Sequence, residues 1–212
     1  MNSNEKQVPA IVVKRLPRYY RYLSELLKTD IKRISSGALS RKMNVTASQI
    51  RQDFNYFGGF GQQGYGYNVE YLHKAIGEIL GLDRGNKTII VGAGNLGRAL
   101  ANHDAFERRG FIITALFDID SSVVGTRVNG KPVFHMEELD DYLSRERTDI
   151  AILTVPRAKT QEIADRLIRS GVRGFLNFSY TELKTDGMVA VENVHLSDAL
   201  MTLSYKVKRM DS

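Results

Sequence analysis

The sequence contains no cysteine, and this absence excludes a disulfide framework, a thiolate metal site and a cysteine nucleophile. A cytoplasmic location is the simplest interpretation. No apolar run approaches the roughly 20 residues of a membrane-spanning helix, and the polar start of the chain lacks a signal-peptide core, so we expect no membrane association. The four histidines are scattered, so we also expect no metal site. The hydrophobic fraction of 42% is ample for packed globular cores.

The excess positive charge is confined to the first part of the chain. Residues 1–84 carry 13 Lys and Arg against 7 Asp and Glu, whereas residues 85–212 carry 17 of each kind. This asymmetry suggests a module that binds a polyanion, joined to a neutral module. A basic surface without any partner would give the same numbers, so charge alone leaves both interpretations open.

A short β-branched run ends in glycines with the spacing G-x-G-x-x-G. The run predicts a buried strand over residues 88–91, and the residues after it predict a helix from Asn95 to Arg109. In such a motif the glycines permit a tight turn, close approach of the backbone to a pyrophosphate, and close packing of helix on strand. The free N–H groups at the start of the helix would bind the phosphates. The predicted phosphate-binding residues are Gly92, Ala93, Gly94, Asn95, Leu96 and Gly97.

The context of these glycines strengthens a signal that is weak alone, because ordinary tight turns share the spacing. The next apolar run, residues 112–117, ends in Asp118, where the motif has an acid that accepts hydrogen bonds from a ribose. A carboxylate there would repel a 2′-phosphate, and the neighbouring Ile119 and Asp120 offer no cation to offset it. The predicted cofactor is therefore NAD(H), with Asp118 and Ile119 at the ribose.

The rest of the second half alternates strands and helices. Asn129-Gly130 is a strong signal for a hairpin turn. Strands are predicted over residues 149–155 and 174–178, and helices over residues 136–145 and 160–169. This alternation is typical of an α/β fold with a doubly wound parallel sheet, here a Rossmann-type domain over residues 85–195.

Ligands of such sheets bind where the strands end, which indicates a second set of cofactor residues. Any of them could instead be an ordinary turn residue. The candidates for the nicotinamide side are Thr154, Val155, Pro156, Asn177 and Phe178.

The first half predicts a series of helices after a loose tail over residues 1–14. Leu16, Tyr20, Leu23 and Leu27 recur at helical spacing in the first helix. A short second helix begins at Ser35 or Ser36 and ends near Asn44. The third begins in a capping box, with Thr46 as N-cap and Gln49 reaching back.

The third helix has the chemistry of a DNA-reading element. Its buried stripe is Ile50, Phe54 and Phe57. The opposite face consists of four hydrogen-bonding side chains, namely Ser48, Arg51, Gln52 and Asn55. Arg pairs bidentately with guanine, and Gln and Asn pair with adenine, as in a recognition helix in a major groove. A solvated surface is the alternative, but the short helix, tight turn and capped helix coincide with the basic excess and favour DNA.

A glycine-rich segment follows over residues 58–67. A flexible linker is one interpretation, but the aromatic Phe60, Tyr65 and Tyr67 favour a β-hairpin wing beside the third helix. A fourth helix follows Asn68, and the boundary between the domains is predicted at residues 81–86.

The end of the chain predicts an amphipathic helix. Its apolar residues recur at alternating steps of four and three, at Leu196, Leu200, Leu203, Val207 and Met210. This stripe could pack against the chain's own core or form a dimer seam.

With these residues assembled, the sequence resembles the Rex family of redox-sensing transcriptional repressors over nearly its full length. The matching stretches are KRLPRYYR at residues 14–21, IRQDFNYFG at 50–58, GYGYNV at 64–69, GAGNLG at 92–97, LTVP at 153–156 and LNF at 176–178. The resemblance implies a winged helix-turn-helix domain over residues 1–84, the Rossmann domain, and an exchanged dimerisation helix over residues 196–212. It also implies a homodimer that binds palindromic operator DNA and is released by NADH, with NAD⁺ competing.

The resemblance extends to individual residues. The predicted DNA-binding residues are Arg15, Arg18, Lys42, Thr46, Ser48, Gln49, Arg51, Gln52, Asn55, Tyr56, Gln62 and Gln63. The wing is often basic in this family but carries Gln62 and Gln63 here. His195 and Leu196 stand where some relatives have Asp and Phe near the nicotinamide.

An NAD-dependent oxidoreductase is the rival hypothesis. Hydride transfer needs an acid or base near the nicotinamide, and His195 is the one plausible histidine. Once the basic module is set aside, no residues remain for a separate substrate domain, so we expect a regulator without enzymatic activity. A cofactor-binding module acting only as a structural partner is a third possibility.

Overall fold

The computed structural model describes residues 8–57, 60–62 and 65–210, without the side chains of residues 61 and 62. The chain divides into two compact units between Asp83 and Arg84. Among the residues that the structure describes, none of the helices combines the length and the apolarity that crossing a membrane requires.

The first unit is a winged helix-turn-helix. Its elements are α1 (Ala10–Leu26), β1 (Arg33–Ile34), α2 (Ser36–Met43), α3 (Ala47–Asn55), β2 (Gly61–Gln62), β3 (Gly66–Asn68) and α4 (Val69–Ile79). The three strands form an antiparallel sheet in the order β1-β3-β2, in which β2 and β3 are the predicted hairpin wing.

Helix α1 is longer than predicted, and its buried stripe is shifted. It begins at Ala10, so the prediction of a loose tail was wrong for residues 10–14. Tyr19 and Leu26 are buried, rather than the predicted Tyr20 and Leu27. The reason is that the stripe starts one turn earlier, at Val12, which shifts the later steps of four and three by one residue.

Side-chain caps define the helix ends of this unit. The Ser35 Oγ accepts a hydrogen bond from Ala38 N at the start of α2, and Asn44 ends that helix with a φ of 51°. The Thr46 Oγ1 accepts from Gln49 N at 3.1 Å, as predicted. The other half of the predicted capping box was wrong, because the Gln49 side chain turns along α3 instead of back to Thr46.

The second unit is an α/β domain built on one seven-stranded sheet. Its elements are β4 (Asn86–Val91), α5 (Asn95–Ala101), β5 (Phe111–Asp118), β6 (Arg127–Val128), β7 (Lys131–His135), α6 (Leu139–Arg145), β8 (Ile150–Leu153), α7 (Arg157–Arg169), β9 (Gly174–Asn177), β10 (Ala190–Asn193) and α8 (Leu196–Lys208). Strands β6 and β7 form the predicted hairpin, and Asn129 and Gly130 both have positive φ in its turn.

The strand order is β10-β9-β8-β4-β5-β7-β6, and every pair except β6 with β7 is parallel. Numbered along the chain, the parallel strands run 3-2-1-4-5-6 from β7 to β10, which is the order of dinucleotide-binding sheets. The order reverses at β4, so the binding crevice is expected beyond the carboxyl ends of β4 and β8. The predicted fold class is confirmed.

In this unit one predicted helix ends early, and one strand was not predicted. The helix predicted to reach Arg109 ends at Ala101, and after a turn the chain forms a short 3-10 helix over Glu107–Arg109. Phe106, which precedes that 3-10 helix, packs on the core cluster that includes Ala101. Strand β10 was not predicted, because only Val191 among its residues is even half-buried and its short sequence shows no alternation.

The core lies on both faces of the sheet. One cluster packs beneath α6 and α7 and includes Leu139, Ala164 and Leu167. The other packs beneath α5 and includes Ala101. Helix α8 contributes no buried residue to either cluster.

Candidate dinucleotide site and nucleic-acid interface

The turn after β4 can be built only with glycine at two of its three motif positions. Gly92 has a φ of 103°, and a Cβ there would lie 2.6 Å from the Thr154 Oγ1. A Cβ on Gly97 would overlap the carbonyl oxygen of Gly92. A Cβ on the exposed Gly94 would meet no atom within 4 Å, so its backbone is open to a ligand. The turn therefore has the geometry that the phosphate-binding motif requires.

Helix α5 begins directly after this turn. Gly94 is its N-cap and supplies no side-chain cap, so the first N–H groups are not blocked by a side chain. Ala93 is buried behind the turn, whereas Asn95 and Leu96 are exposed beside Gly94. The predicted phosphate-binding residues thus lie together around one accessible helix start.

Asp118 ties the end of β5 to the glycine turn. Its Oδ2 accepts a hydrogen bond from Ala93 N at 2.5 Å, and its Oδ1 accepts from Ile119 N and Asp120 N at 2.7 and 3.0 Å. A carboxylate has about four acceptor positions, so one is left for a ribose hydroxyl. Ile119 beside it is 77% exposed and is free to cover a bound ring.

Thr154, at the end of β8, supports the turn from the other side. Its Oγ1 lies 2.8 Å from the Gly92 carbonyl oxygen and 3.1 Å from that of Val91, to which it can donate its proton. Val155 is half-buried and Pro156 is exposed as the N-cap of α7. The structure brings these three residues to the same sheet edge as Gly92.

Asn177, at the end of β9, is fully buried and uses its whole side-chain amide within the protein. Its Nδ2 donates to the Thr181 carbonyl oxygen and to the Asn193 Oδ1, and its Oδ1 accepts from the Ser179 N–H and hydroxyl. The amide therefore has no position left for a cofactor. Phe178 follows it, half-buried against the core beneath α5.

His195 precedes α8 and lies close to this network. Its ring centroid is 5.4 Å from that of Tyr180, and its Nδ1 is 3.8 Å from the Asp198 Oδ2. Its Nε2 is buried without a hydrogen-bond partner in the described part of the chain. In residues 8–57, 60–62 and 65–210, no cluster of acidic or histidine side chains could hold a metal ion.

In the first unit, α3 presents the polar face that its sequence predicts. Ser48, Arg51, Gln52 and Asn55 are exposed on α3, opposite the buried stripe. The Arg51 Nη1 donates to the Ser36 Oγ at 3.1 Å, which ties it to the start of α2. Phe57, predicted in the buried stripe, lies beyond the helix end and is only half-buried.

Arg15 does not lie free on the surface, because it forms a bidentate ion pair with the buried Asp53. Its Nε and Nη2 lie 2.7 and 2.6 Å from the two Asp53 oxygens. The Tyr19 hydroxyl donates to the same carboxylate at 2.7 Å, and the Gln49 Nε2 donates at 3.0 Å. Two of the predicted DNA contacts are thus engaged with Asp53: Arg15 ties α3 to α1, and Gln49 holds the Asp53 carboxylate from within α3.

This network shifts the pKa values of its members. Burial alone would raise the pKa of Asp53, but the hydrogen bonds from Arg15, Tyr19 and Gln49 outweigh it and place the pKa below its ordinary value of 3.8. Burial, followed by the hydrogen bond to Asp53, raises the pKa of Tyr19 above its ordinary value. The sequence contained the signal for this network, since Asp53 adjoins the apolar stripe of α3, where a charge needs a partner.

The remaining predicted DNA contacts are spread over α1, α2, the two ends of α3 and the wing. Arg18, Lys42 and Thr46 are exposed, and Tyr56 is half-buried. Gln62 lies in β2, but its side chain and the whole of Gln63 are outside the described residues.

Comparisons with known proteins match both units. A family model described as "CoA binding domain" matches residues 83–181, and one described as "Putative DNA-binding protein N-terminus" matches residues 7–55. The redox-sensing transcriptional repressor Rex of Thermoanaerobacter pseudethanolicus is 53% identical over 205 residues, which cover 97% of this chain and 92% of the relative. That of Clostridium beijerinckii is 48% identical over 210 residues, covering 99% and 100%.

Solved structures agree with these relatives. The crystal structure of RSP with β-NAD⁺ and operator DNA is 51% identical, with a TM-score of 0.91 and coverage of 97% of this chain and 95% of that one. The structure of RSP with β-NADH is 49% identical, with a TM-score of 0.89 and coverage of 96% of each chain. RSP is itself described as a Rex-family repressor. Similarity of this extent and identity shows that the chain belongs to the Rex family of redox-sensing transcriptional repressors.

Proposed function

We propose that this protein is a cytoplasmic transcriptional repressor that binds palindromic operator DNA as a homodimer and is released when NADH binds. In this way it senses the NADH/NAD⁺ ratio, because NAD⁺ competes for the same site. The observation that carries the proposal is the union in one chain of an exposed polar helix face on a winged helix and an open glycine turn at a dinucleotide-type crevice. Complexes of RSP with β-NAD⁺ and operator DNA and with β-NADH support it.

The proposed cofactor site runs along the carboxyl edge of the sheet. The residues 92–97 turn would hold the pyrophosphate, and Asp118 would accept a hydrogen bond from the adenosine ribose with Ile119 beside it. Val155, Pro156 and Phe178 would line the nicotinamide half. Thr154 and Asn177 would act by holding the backbone around the cofactor, since their side-chain bonds are made within the protein.

The proposed DNA interface is the exposed face of α3 with its basic surroundings. Ser48, Arg51, Gln52 and Asn55 would read base edges, and Arg18 and Lys42 would bind phosphates. Arg15 would contribute by orienting α3 through Asp53, and Gln49 by fixing the Asp53 carboxylate from within α3.

Helix α8 supports a homodimer. Leu196 is 62% exposed and Leu200 is 68% exposed. Exposure of such large apolar side chains to water is unfavourable in an isolated chain and marks a surface for a partner. We therefore assign three parts: residues 1–84 for DNA binding, 85–195 for cofactor binding and 196–212 for dimerisation by exchange. A catalytic role is not proposed, because the relatives are named as repressors and the His195 Nε2 is buried.

A titration of DNA binding tests this function. Full-length protein is titrated onto a palindromic duplex alone, with NAD⁺ and with NADH. We expect binding without NADH and release with NADH at concentrations where NAD⁺ has little effect. Equal DNA affinity in all three conditions would contradict the proposal.

A further inference from the structure

The buried amide of Asn177 joins three segments that meet at the cofactor edge of the sheet. Within the second unit, its partners are Ser179 and Thr181 in the loop after β9, and Asn193 at the end of β10. Its backbone carbonyl also accepts from Val194 N at 2.8 Å. Helix α8 begins two residues further on, at Leu196.

The orientation of this amide is fixed by its backbone partners. The Thr181 carbonyl can only accept and the Ser179 N–H can only donate, so Nδ2 and Oδ1 cannot be exchanged. All four hydrogen-bonding positions of a fully buried group are filled. Because an unpaired buried amide is costly, the loop, β9 and the end of β10 are held in one arrangement.

The four side-chain hydrogen bonds of Asn177 are called the Asn177 node below. The position of Asn177 places this node beside the nicotinamide half-site. In the sheet Val91 pairs with Leu153 and Leu153 pairs with Asn177, so Asn177 lies level with the glycine turn. Strands are about 4.8 Å apart, which puts it roughly 10 Å across the sheet from Val91. In dinucleotide-binding sheets the nicotinamide half of the cofactor lies over the strands on the β8 and β9 side of β4, where the strand order reverses.

A second contact joins the same loop to α8. The Tyr180 ring, in the loop that Asn177 holds, lies 5.4 Å from the ring of His195 at the helix start. A ligand that displaces the loop therefore acts on the base of α8 through Asn177 and its bond to Asn193, as well as through these rings.

We propose that Asn177 is a positioning residue that couples occupancy of the nicotinamide half-site to α8, and that its bond to Asn193 carries this coupling. The inference rests on the proposed NADH-dependent release of DNA and adds the residues that transmit it. NADH does not bond to Asn177. It shifts the loop that Asn177 anchors, and the Asn177–Asn193 bond moves the start of α8 with it.

Substitutions of Asn193 test this coupling, because Asn193 is exposed and its loss spares the core. Asn193→Ala removes the acceptor of the Asn177 Nδ2, whereas Asn193→Asp keeps an acceptor there. Glu192→Ala is the matched control, as an exposed neighbour on β10 whose side chain has no part in the node. For each full-length variant, NADH affinity is measured with and without the palindromic duplex, and duplex affinity with and without NADH.

In the wild-type protein, NADH is expected to lower the affinity for the duplex by about 5-fold to 150-fold. The duplex should lower the affinity for NADH by the same factor. Asn193→Ala should bring both factors towards one while NADH alone and DNA alone still bind with wild-type affinity. Asn193→Asp and Glu192→Ala should keep both factors.

Three results would overturn the inference. One is full coupling in Asn193→Ala, which would show that the bond transmits nothing. Another is loss of NADH binding in Asn193→Ala, which would make Asn193 a binding residue. The third is loss of coupling in Glu192→Ala as well, which would indicate a general effect of altering β10. A wild type without coupling would instead refute the proposed function, so the two failures are distinguishable.

Discussion

At the residue scale, Asp53 shows how a buried charge can specify the orientation of a helix. Its carboxylate takes four hydrogen bonds, two from Arg15 and one each from Tyr19 and Gln49. Arg15 and Tyr19 lie on α1, whereas Asp53 lies on α3, so the pairing fixes one helix against the other. A misplaced α3 would leave a charge unpaired, and that cost disfavours other orientations.

Asp53→Asn should destabilise the first unit in a pH-dependent way. At pH 7 the variant leaves Arg15 without its charge partner, and we expect a loss of about 3 kcal/mol, the lower end for buried pairs because Arg15 keeps 22% exposure. The pKa of Asp53 is lowered from 3.8 by folding, so its stabilisation is present above pH 3.8 and is lost as pH falls through the lower, folded value. Denaturation measured from pH 7 down to pH 3 should therefore show the wild type and the variant converging. Asp30→Asn, at an exposed carboxylate, should change little at any pH, and a constant gap for Asp53→Asn would contradict the assignment.

Arg51 is the sharpest test of base readout. Its tie to the Ser36 Oγ limits the side chain's freedom before DNA binds. Arg51→Ala should cost about 1–3 kcal/mol of binding free energy on the cognate duplex and relax the base preference at one position. Lys42→Ala should instead weaken binding to all sequences alike and reduce the salt dependence of binding. Binding isotherms on cognate and random duplexes at several salt concentrations measure both effects. Equal losses for Arg51→Ala on the two duplexes would show that it binds only phosphate.

At the scale of elements, strong periodicity predicted the structure and weak patterning did not. The strand, glycine turn and acid around Gly92 and Asp118 were found from sequence because each residue type there has a local geometric cause. Strand β10 is a short edge strand with little burial, so its sequence carries no period. The bond between Asn177 and Asn193 of β10 could not be predicted either, because it joins two segments that are brought together only by the pairing of β9 with β10.

The glycine turn allows ligand contact to be separated from folding. Gly94 has a φ of −71°, which alanine adopts freely, and its Cβ would enter open space, so Gly94→Ala should fold normally. The methyl group would nevertheless stand where the pyrophosphate approaches, and NADH should bind at least about tenfold more weakly. Gly92→Ala should instead destabilise the domain, because its Cβ would meet Thr154 and its φ is positive.

Calorimetric titration with NADH and thermal unfolding measure these two effects. Gly37→Ala, in α2 and with ordinary contacts only, is the matched control for NADH binding. Wild-type NADH affinity in Gly94→Ala would remove the turn from the proposed cofactor site.

At the scale of the whole molecule, α8 is a helix that buries none of its residues against the described part of its own chain. Seven large apolar residues of the segment are exposed, namely Leu196, Leu200, Met201, Leu203, Tyr205, Val207 and Met210. They occupy more than the single stripe that the sequence predicted, since Met201 and Tyr205 lie off the line of Leu196, Leu200 and Leu203. A helix with apolar side chains on more than one face is stable in water only when more than one face is buried. An exchanged position in the proposed homodimer would bury them against the partner subunit.

A homodimer also matches the symmetry of the proposed target. In the proposed homodimer a two-fold axis would relate two recognition helices, which would enter successive major-groove faces only when they are held about 34 Å apart. A modest rotation of the subunits would break one of the two groove contacts. The spacing of the recognition helices can therefore switch between a state that binds DNA and a state that does not. NADH and NAD⁺ differ by a local change at the ring, which is small beside the basic surface of residues 1–84, so release follows from geometry rather than from net charge.

Deleting residues 196–212 should therefore remove dimerisation, tight binding to palindromic DNA and the NADH response together. Leu200→Glu is the companion variant, because it places a charge on the exposed apolar surface and leaves the rest of the chain intact. Sedimentation gives the oligomeric state, and titration of full and half palindromes gives the DNA affinity with and without NADH. Both variants should become monomers that bind a half palindrome about as well as a full one, while still binding NADH through the residues 92–97 turn. A truncated protein that stayed dimeric and still left DNA when NADH was added would show that neither the dimer nor the switch depends on α8.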